Sequence, residues 1–340
     1  MSLCYSYSNV LHQIRLQLNR FYCFLASCVI HGHRGARGLA PENTIAGFAR
    51  ACQVGVDGIE LDVVISADDR VVIHHDPRLN ETQCRDQSGN WIASDGPRIR
   101  ELLSCDLSSY DIGRAKPGSK TDRDFPQQSP ADGEWIPLLG ELAAWWHDLR
   151  GSRPILNIEL KSHPDYPDDT PPLKDYSRII VDELDRFDLI GHTWLQAFDW
   201  RLLQLIQKAC SRIPTGYLSC ARAGESTIFP GGVSPWLAGF DPDRFGGSTP
   251  HAVHAAGGTF WGPWFGDLNA AVIQEAKAFG LPVHTWTVNE SEDISQALDW
   301  AVDGITTDYP DRARRLVNAR HLASPTTGSF EAQHPAHLRA

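Results

Sequence analysis

Two ionisable pairs placed inside apolar runs constrain this chain more than any other feature. Glu60 and Asp62 lie within residues 54–65, and Glu159 and Lys161 close residues 155–161. Both runs are short and rich in Val, Ile and Leu, which reads as strand. Side chains on a strand alternate between faces, so positions i and i+2 share one. Charge buried on such a face is costly unless it is paired or bound to a metal. Each pair therefore needs a partner.

Two histidines extend the pattern. His33 follows Cys28-Val29-Ile30, and His75 follows Val71-Val72-Ile73, so each stands where an apolar strand gives way to a loop. Charged residues at the carboxyl ends of successive strands are how a TIM (β/α)8 barrel builds its site. Glu60, Asp62 and Glu159 are hard oxygen donors, suited to Mg²⁺ or Ca²⁺. With Arg34 and Lys161 as anion clamps, the inventory fits metal-assisted cleavage of a phosphate ester. A structural zinc site does not fit, because Cys4, Cys23, Cys28, Cys52, Cys84, Cys105, Cys210 and Cys220 include no C-x-x-C pair.

The motifs occur in an order that resembles the glycerophosphodiester phosphodiesterase family, over roughly residues 28–316. The series opens with His33-Arg34-Gly35 and Pro41-Glu42-Asn43-Thr44. It continues through Glu60-Leu61-Asp62, His75-Asp76-Pro77 and Glu159-Leu160-Lys161. Gln196-Ala197-Phe198-Asp199 carries alanine where the family has serine. Trp286-Thr287-Val288-Asn289 and residues 302–310 close the series.

The resemblance implies roles residue by residue. His33 and His75 would be general acid and base. Glu60, Asp62 and Glu159 would hold one divalent cation, Mg²⁺ or Ca²⁺. Arg34 and Lys161 would contact phosphate, and Trp286 would wall the glycerol pocket. The expected reaction is hydrolysis of a glycerophosphodiester to sn-glycerol 3-phosphate and an alcohol. A lysophospholipase D-like enzyme acting on lipids and a non-catalytic phosphodiester binder are the alternatives. Glu42 reads as a brace for Arg34, and His31 and His74 as structural neighbours.

Composition sets the bounds. The chain has 340 residues, which suits one barrel with a small insertion after the second strand. A formal charge of −11 disfavours a nucleic-acid partner. The expected partner is a small-molecule substrate, with no stable membrane insertion; the oligomeric state is open. Residues 1–27 read as an N-terminal extension, 28–318 as the barrel with its insertion at about 78–137, and 319–340 as a disordered tail. The apolar run at 21–30 resembles a signal peptide, but its end is needed as the first strand. A cytoplasmic location is therefore favoured over a periplasmic or secreted one. Helical spacing marks residues 44–54, with Ile45, Phe48, Ala49 and Cys52 on one face, and residues 141–149. Residues 284–288 read as a strand.

Overall fold

The computed structural model describes residues 28–94 and 96–323. Strand β1 (Val29–Gly32) leads to helix α1 (Ile45–Val54), and β2 (Gly58–Ile65) to the short β3 (Val71–Ile73) and then α2 (Leu139–Asp148). Six β-α units follow: β4 (Ile155–Leu160) and α3 (Leu173–Arg186), β5 (Thr193–Ala197) and α4 (Trp200–Ala209), β6 (Thr215–Ser219) and α5 (Thr249–Ala255), β7 (Phe260–Pro263) and α6 (Ala270–Ala278), β8 (His284–Thr285) and α7 (Ser291–Asp299), and β9 (Gly304–Thr307) and α8 (Pro310–Ala323). The sheet runs β7-β6-β5-β4-β2-β1-β9-β8. Parallel bridges from Trp261 to Val283 and from Trp264 to Trp286 join its two ends. The result is the (β/α)8 barrel expected from the strand-end charges.

The alternation of strand side chains sorts the residues into two layers. Ile30, Ile59, Leu61, Val63, Ile158, Leu195, Tyr217, Trp261 and Ile305 belong to the main core, shared with the helices. The intervening residues fill the barrel. At its floor His31 lies 4.3 Å, ring centre to ring centre, from His284 and 5.1 Å from Trp194, which lies 5.4 Å from Phe260. Glycines make room for these rings. A Cβ on Gly58, Gly216 or Gly304 would come within 2.4, 2.0 or 2.1 Å of His31, Phe260 or His284. With the floor filled, the ionisable residues farther along the same rows sit at the carboxyl-terminal mouth.

Several boundaries differ from the sequence reading. Val54 ends α1 rather than starting β2, because Gly55 adopts a left-handed conformation (φ 83°) and stops the helix. The face of α1 turned to the core is centred on Gly47, Phe48 and Ala51, with Ile45 and Cys52 of the expected row partly buried at its edges. The strand expected at 284–288 is reduced to His284–Thr285, with a single bridge at Trp286. Residues 319–323 continue α8. The rest of the expected tail, like the expected extension at 1–27, lies outside the described residues.

The segment between β2 and β4 is built rather than looped. β3 pairs antiparallel with β2, Val63 opposite Ile73, so His75 comes from a hairpin and not from a barrel strand. Val64, Val72, Leu79, Cys84, Ile99, Leu107, Ile112 and Ile136 form a small core of their own beneath it. No helix among the described residues is long and apolar enough to cross a membrane.

Candidate active site

Parallel pairing of β2 with β4 sets Asp62 opposite Glu159 and Glu60 opposite Asn157. Glu60, Asp62 and Glu159 are buried, and each offers an oxygen within 4.8 Å of the others. Asp62 Oδ1 has no hydrogen-bond partner. Lys161 Nζ lies 2.6 Å from Glu159 Oε1 and 3.5 Å from Asp62 Oδ1. Burial raises the Glu60 carboxyl well above its ordinary range, and the charges of Asp62 and Glu159 push it the same way. Burial would raise Asp62 too, but His75, Arg34 and Lys161 hold it far below the usual carboxylate range. Three buried carboxylates facing one ammonium and one guanidinium leave negative charge uncompensated. An orphaned carboxylate oxygen in an all-oxygen donor set fits a hard divalent cation.

The β1–α1 loop delivers Arg34 to the carboxylates. Gly35 (φ 90°) donates its N–H to Glu60 O at 3.1 Å, and a Cβ there would meet the Gly47 backbone at 2.8 Å. Arg34 and Asn43 also take positive φ, 49° and 53°, a conformation most non-glycine residues avoid. The Arg34 N–H donates to Glu60 Oε2 at 2.9 Å, its Nη1 to Glu42 Oε1 at 2.7 Å, and its Nε lies 3.3 Å from Asp62 Oδ2. Asn43 Nδ2 donates to Asp62 Oδ2 at 3.0 Å. Burial would raise the Glu42 carboxyl, but Arg34 and Arg37 hold it at about 2.

The two histidines are held alike. His33 Nδ1 is 2.7 Å from Asp308 Oδ1, and Asn289 Nδ2 donates to Asp308 Oδ2 at 2.7 Å. His75 Nδ1 is 2.7 Å from Asp76 Oδ1, and Asn80 Nδ2 donates to Asp76 Oδ2 at 2.9 Å. An ionised carboxylate only accepts, so each Nδ1 carries the hydrogen and each Nε2 is left for proton transfer. His33 Nε2 reaches to 3.9 Å from Glu60 Oε2. Burial and the cations of Arg34 and Lys161 lower the His75 pKa, opposed by Asp62 and Asp76. Its neighbour His74 is turned away, with Nδ1 2.8 Å from the Asp76 carbonyl oxygen.

The sequence profile of the glycerophosphoryl diester phosphodiesterase family matches residues 33–312. The chain belongs to that family. A Silicibacter pomeroyi protein assigned to it is 35% identical, with a TM-score of 0.77 over 86% of this chain and 94% of its own. A glycerophosphodiester phosphodiesterase of Caldanaerobacter subterraneus subsp. tengcongensis is 27% identical over 85% of this chain and 97% of its own. An Oleispira antarctica phosphodiesterase, solved with its product sn-glycerol-3-phosphate, shares the fold at 21% identity and a TM-score of 0.60, over 86% of this chain and 97% of its own.

In this member of the phosphodiesterase family the mouth is divided. β9, β1, β2 and β4, together with the β3 hairpin, carry the ionisable residues described above. Across from them Trp286 donates Nε1–H to the Gly262 carbonyl at 2.8 Å and meets Phe198 edge-on at 5.3 Å. Trp236 follows Phe198 at 6.5 Å and His163 follows Trp236 at 4.5 Å. Trp286 therefore stands on the apolar side of the mouth, among rings.

Sequence reasoning gave no role to Asn43, Asp76, Asn80, Gln196, Asn289 or Asp308, although most lie inside the quoted motifs. Gln196 Nε2 donates to Glu60 Oε1 at 3.4 Å, and Gln196 Oε1 accepts from Asn157 Nδ2 at 3.0 Å. The signal was available for Asp76, which adjoins His75. The partner of His33 is 275 residues away in sequence, and only barrel closure brings it near.

Proposed function

We propose that this protein hydrolyses glycerophosphodiesters to sn-glycerol 3-phosphate and an alcohol. In this reading His33 and His75 carry protons, Arg34 and Lys161 hold the phosphate, and Glu60, Asp62 and Glu159 hold one Mg²⁺ or Ca²⁺. A bound divalent cation would supply Lewis-acid stabilisation of charge on the phosphoryl oxygens. The observation that carries the reading is the matched pair of histidines, each fixed through Nδ1 by a carboxylate and an asparagine, beside three buried carboxylates. A protein that only bound phosphodiesters would need the cationic clamps but not two tautomer-fixed imidazoles.

The chemistry assigned to these residues runs in two steps. One histidine takes the proton from the glycerol 2-hydroxyl, whose oxygen bonds to phosphorus. The bond from phosphorus to the head-group oxygen breaks, and the other histidine protonates the departing alcohol. Water then opens the cyclic phosphate with the proton roles reversed, leaving sn-glycerol 3-phosphate. Imidazole suits both steps because its ordinary pKa of about 6.5 lets it give and take a proton near neutrality. Lys161 stabilises charge on the equatorial oxygens and Arg34 can bind two of them through its planar fork. Trp286 is assigned to the glycerol side of the pocket.

Glycerophosphocholine and its 2-deoxy analogue make the test. The account expects turnover of the first and none of the second, since the analogue lacks the attacking hydroxyl. Comparable release of choline from both would contradict the cyclic route.

A further inference from the structure

The β1–α1 loop is fastened to the segment inserted between β2 and β4, and the fastening converges on Arg37. The Arg37 guanidinium stacks over the Phe125 ring, 4.5 Å from its centre, and pairs with Glu42. Gln128 Nε2 donates to the Arg37 carbonyl at 2.7 Å, and the Ser129 N–H to the Leu39 carbonyl at 3.0 Å. Glu134 Oε2 accepts from the Ala46 N–H at 3.2 Å, at the start of α1. Phe125 also packs beside Tyr309, ring centres 6.5 Å apart, just past Asp308.

Glu42 thus has one carboxylate oxygen on each of two guanidiniums. Oε1 accepts from Arg34, and Oε2 faces Arg37. A carboxylate shared in this way fixes Arg34 only as firmly as Arg37 is itself fixed. Arg37 has its charge on Glu42, its face on an aromatic ring and its carbonyl on Gln128, so it is in no position to turn to a substrate. A cation over a ring is held more strongly as water is excluded, and a small misplacement of an anion clamp is costly to binding.

We propose that Arg37 and Phe125 are positioning residues, through which the inserted segment holds Glu42 and hence the Arg34 guanidinium where the phosphate is gripped. The inference rests on the assignment of Arg34 as a phosphate clamp. It gives the insertion a part in binding the phosphate, separate from any part in selecting the head group.

The test compares Phe125→Ala, Phe125→Trp, Gln128→Ala and Arg34→Ala with the unchanged protein. Competitive inhibition by inorganic phosphate is measured with kcat and KM, metal affinity and the urea midpoint. Phe125→Ala should weaken phosphate binding and raise KM by about five- to tenfold, the scale of a lost cation–π contact. Metal affinity and the urea midpoint should stay near those of the parent. Phe125→Trp should restore phosphate affinity to within about twofold, because its ring can seat the same cation. Gln128→Ala should fall between them. Unchanged phosphate affinity in Phe125→Ala, or equal losses in the Ala and Trp variants, would overturn the proposal. A parallel fall in metal affinity and urea midpoint would also overturn it, by showing a merely structural contact. If Arg34→Ala left phosphate binding intact, the clamp assignment itself would fail and take this inference with it.

Discussion

His33 and His75 arrive from different places, one from a barrel strand and one from a hairpin, yet each ends with Nδ1 on an aspartate that an asparagine secures. The arrangement leaves both Nε2 atoms as the groups able to exchange protons. His33→Ala and His75→Ala should each lower kcat by about a hundredfold or more, the usual scale for such groups. Neither should change metal affinity much in a calorimetric titration. The pair acts as a unit, so the double variant should be little worse than either single. Steady-state kinetics that found His74→Ala as damaging as His75→Ala would contradict the choice between these neighbours. Arg34→Lys keeps charge but loses the planar fork, so kcat/KM should fall by about tenfold or more; unchanged kinetics would mean that Arg34 only braces its loop. The charged side chains were legible in the sequence because ionisable residues inside apolar strands demand an explanation. Asp308 and Asn289 were not legible as partners, because nothing in a linear reading says which strand end closes next to which.

At the scale of elements, the barrel floor depends on glycine facing ring. Gly216 has a Cβ position 2.0 Å from the Phe260 ring, an overlap that forces this ring to shift against its neighbours Trp194 and His284. Gly216→Ala should destabilise the fold by about 1–3 kcal/mol, the usual cost of overpacking a core, read as a lower urea midpoint at unchanged slope. Strand identity was readable from β-branched runs, and the start of α1 from the motif before Thr44, which accepts from the Gly47 N–H. The start of β2 was misplaced because Val54 looks like strand, while the left-handed turn at Gly55 makes Val54 the last residue of α1, as its helical spacing marks. The hairpin was misread for a different reason. Val71-Val72-Ile73 is a good strand sequence, but the direction of pairing is not written in composition. Its antiparallel return along β2 is what brings His75 to the mouth, with the His74 N–H donating to the Asp62 carbonyl at 3.1 Å.

For the molecule as a whole, the buried floor also sets a response to pH. Burial lowers the His31 pKa well below 6.5, with His284 adding to the effect, and burial pushes His284 down to about 3. The unfolded chain takes up these protons as pH falls through about 6.5, while the folded chain does not until far lower. The unfolded state therefore binds more protons across that window, and stability falls as pH drops from 6.5 towards 3. Each histidine contributes a slope of about 1.4 kcal/mol per pH unit. His284→Gln should remove one such contribution, seen as a shallower loss of stability between pH 6 and pH 4 in urea unfolding; an unchanged slope would contradict the assignment. Barrel class was readable from the strand-end charges and length, whereas the way His31 and His284 plug the floor needed the register of all eight barrel strands.

The central claim is that three buried carboxylates and two fixed histidines make a metal-assisted phosphodiesterase. The most direct measurement is release of sn-glycerol 3-phosphate from glycerophosphocholine, before chelation, after exhaustive chelation, and after adding back Mg²⁺ or Ca²⁺. The account predicts release at the start, its loss with the chelator and its recovery with a hard divalent ion, and no recovery in Glu60→Ala, Asp62→Ala or Glu159→Ala. Full activity after exhaustive chelation, or no glycerol 3-phosphate from the metal-replete protein, would contradict it.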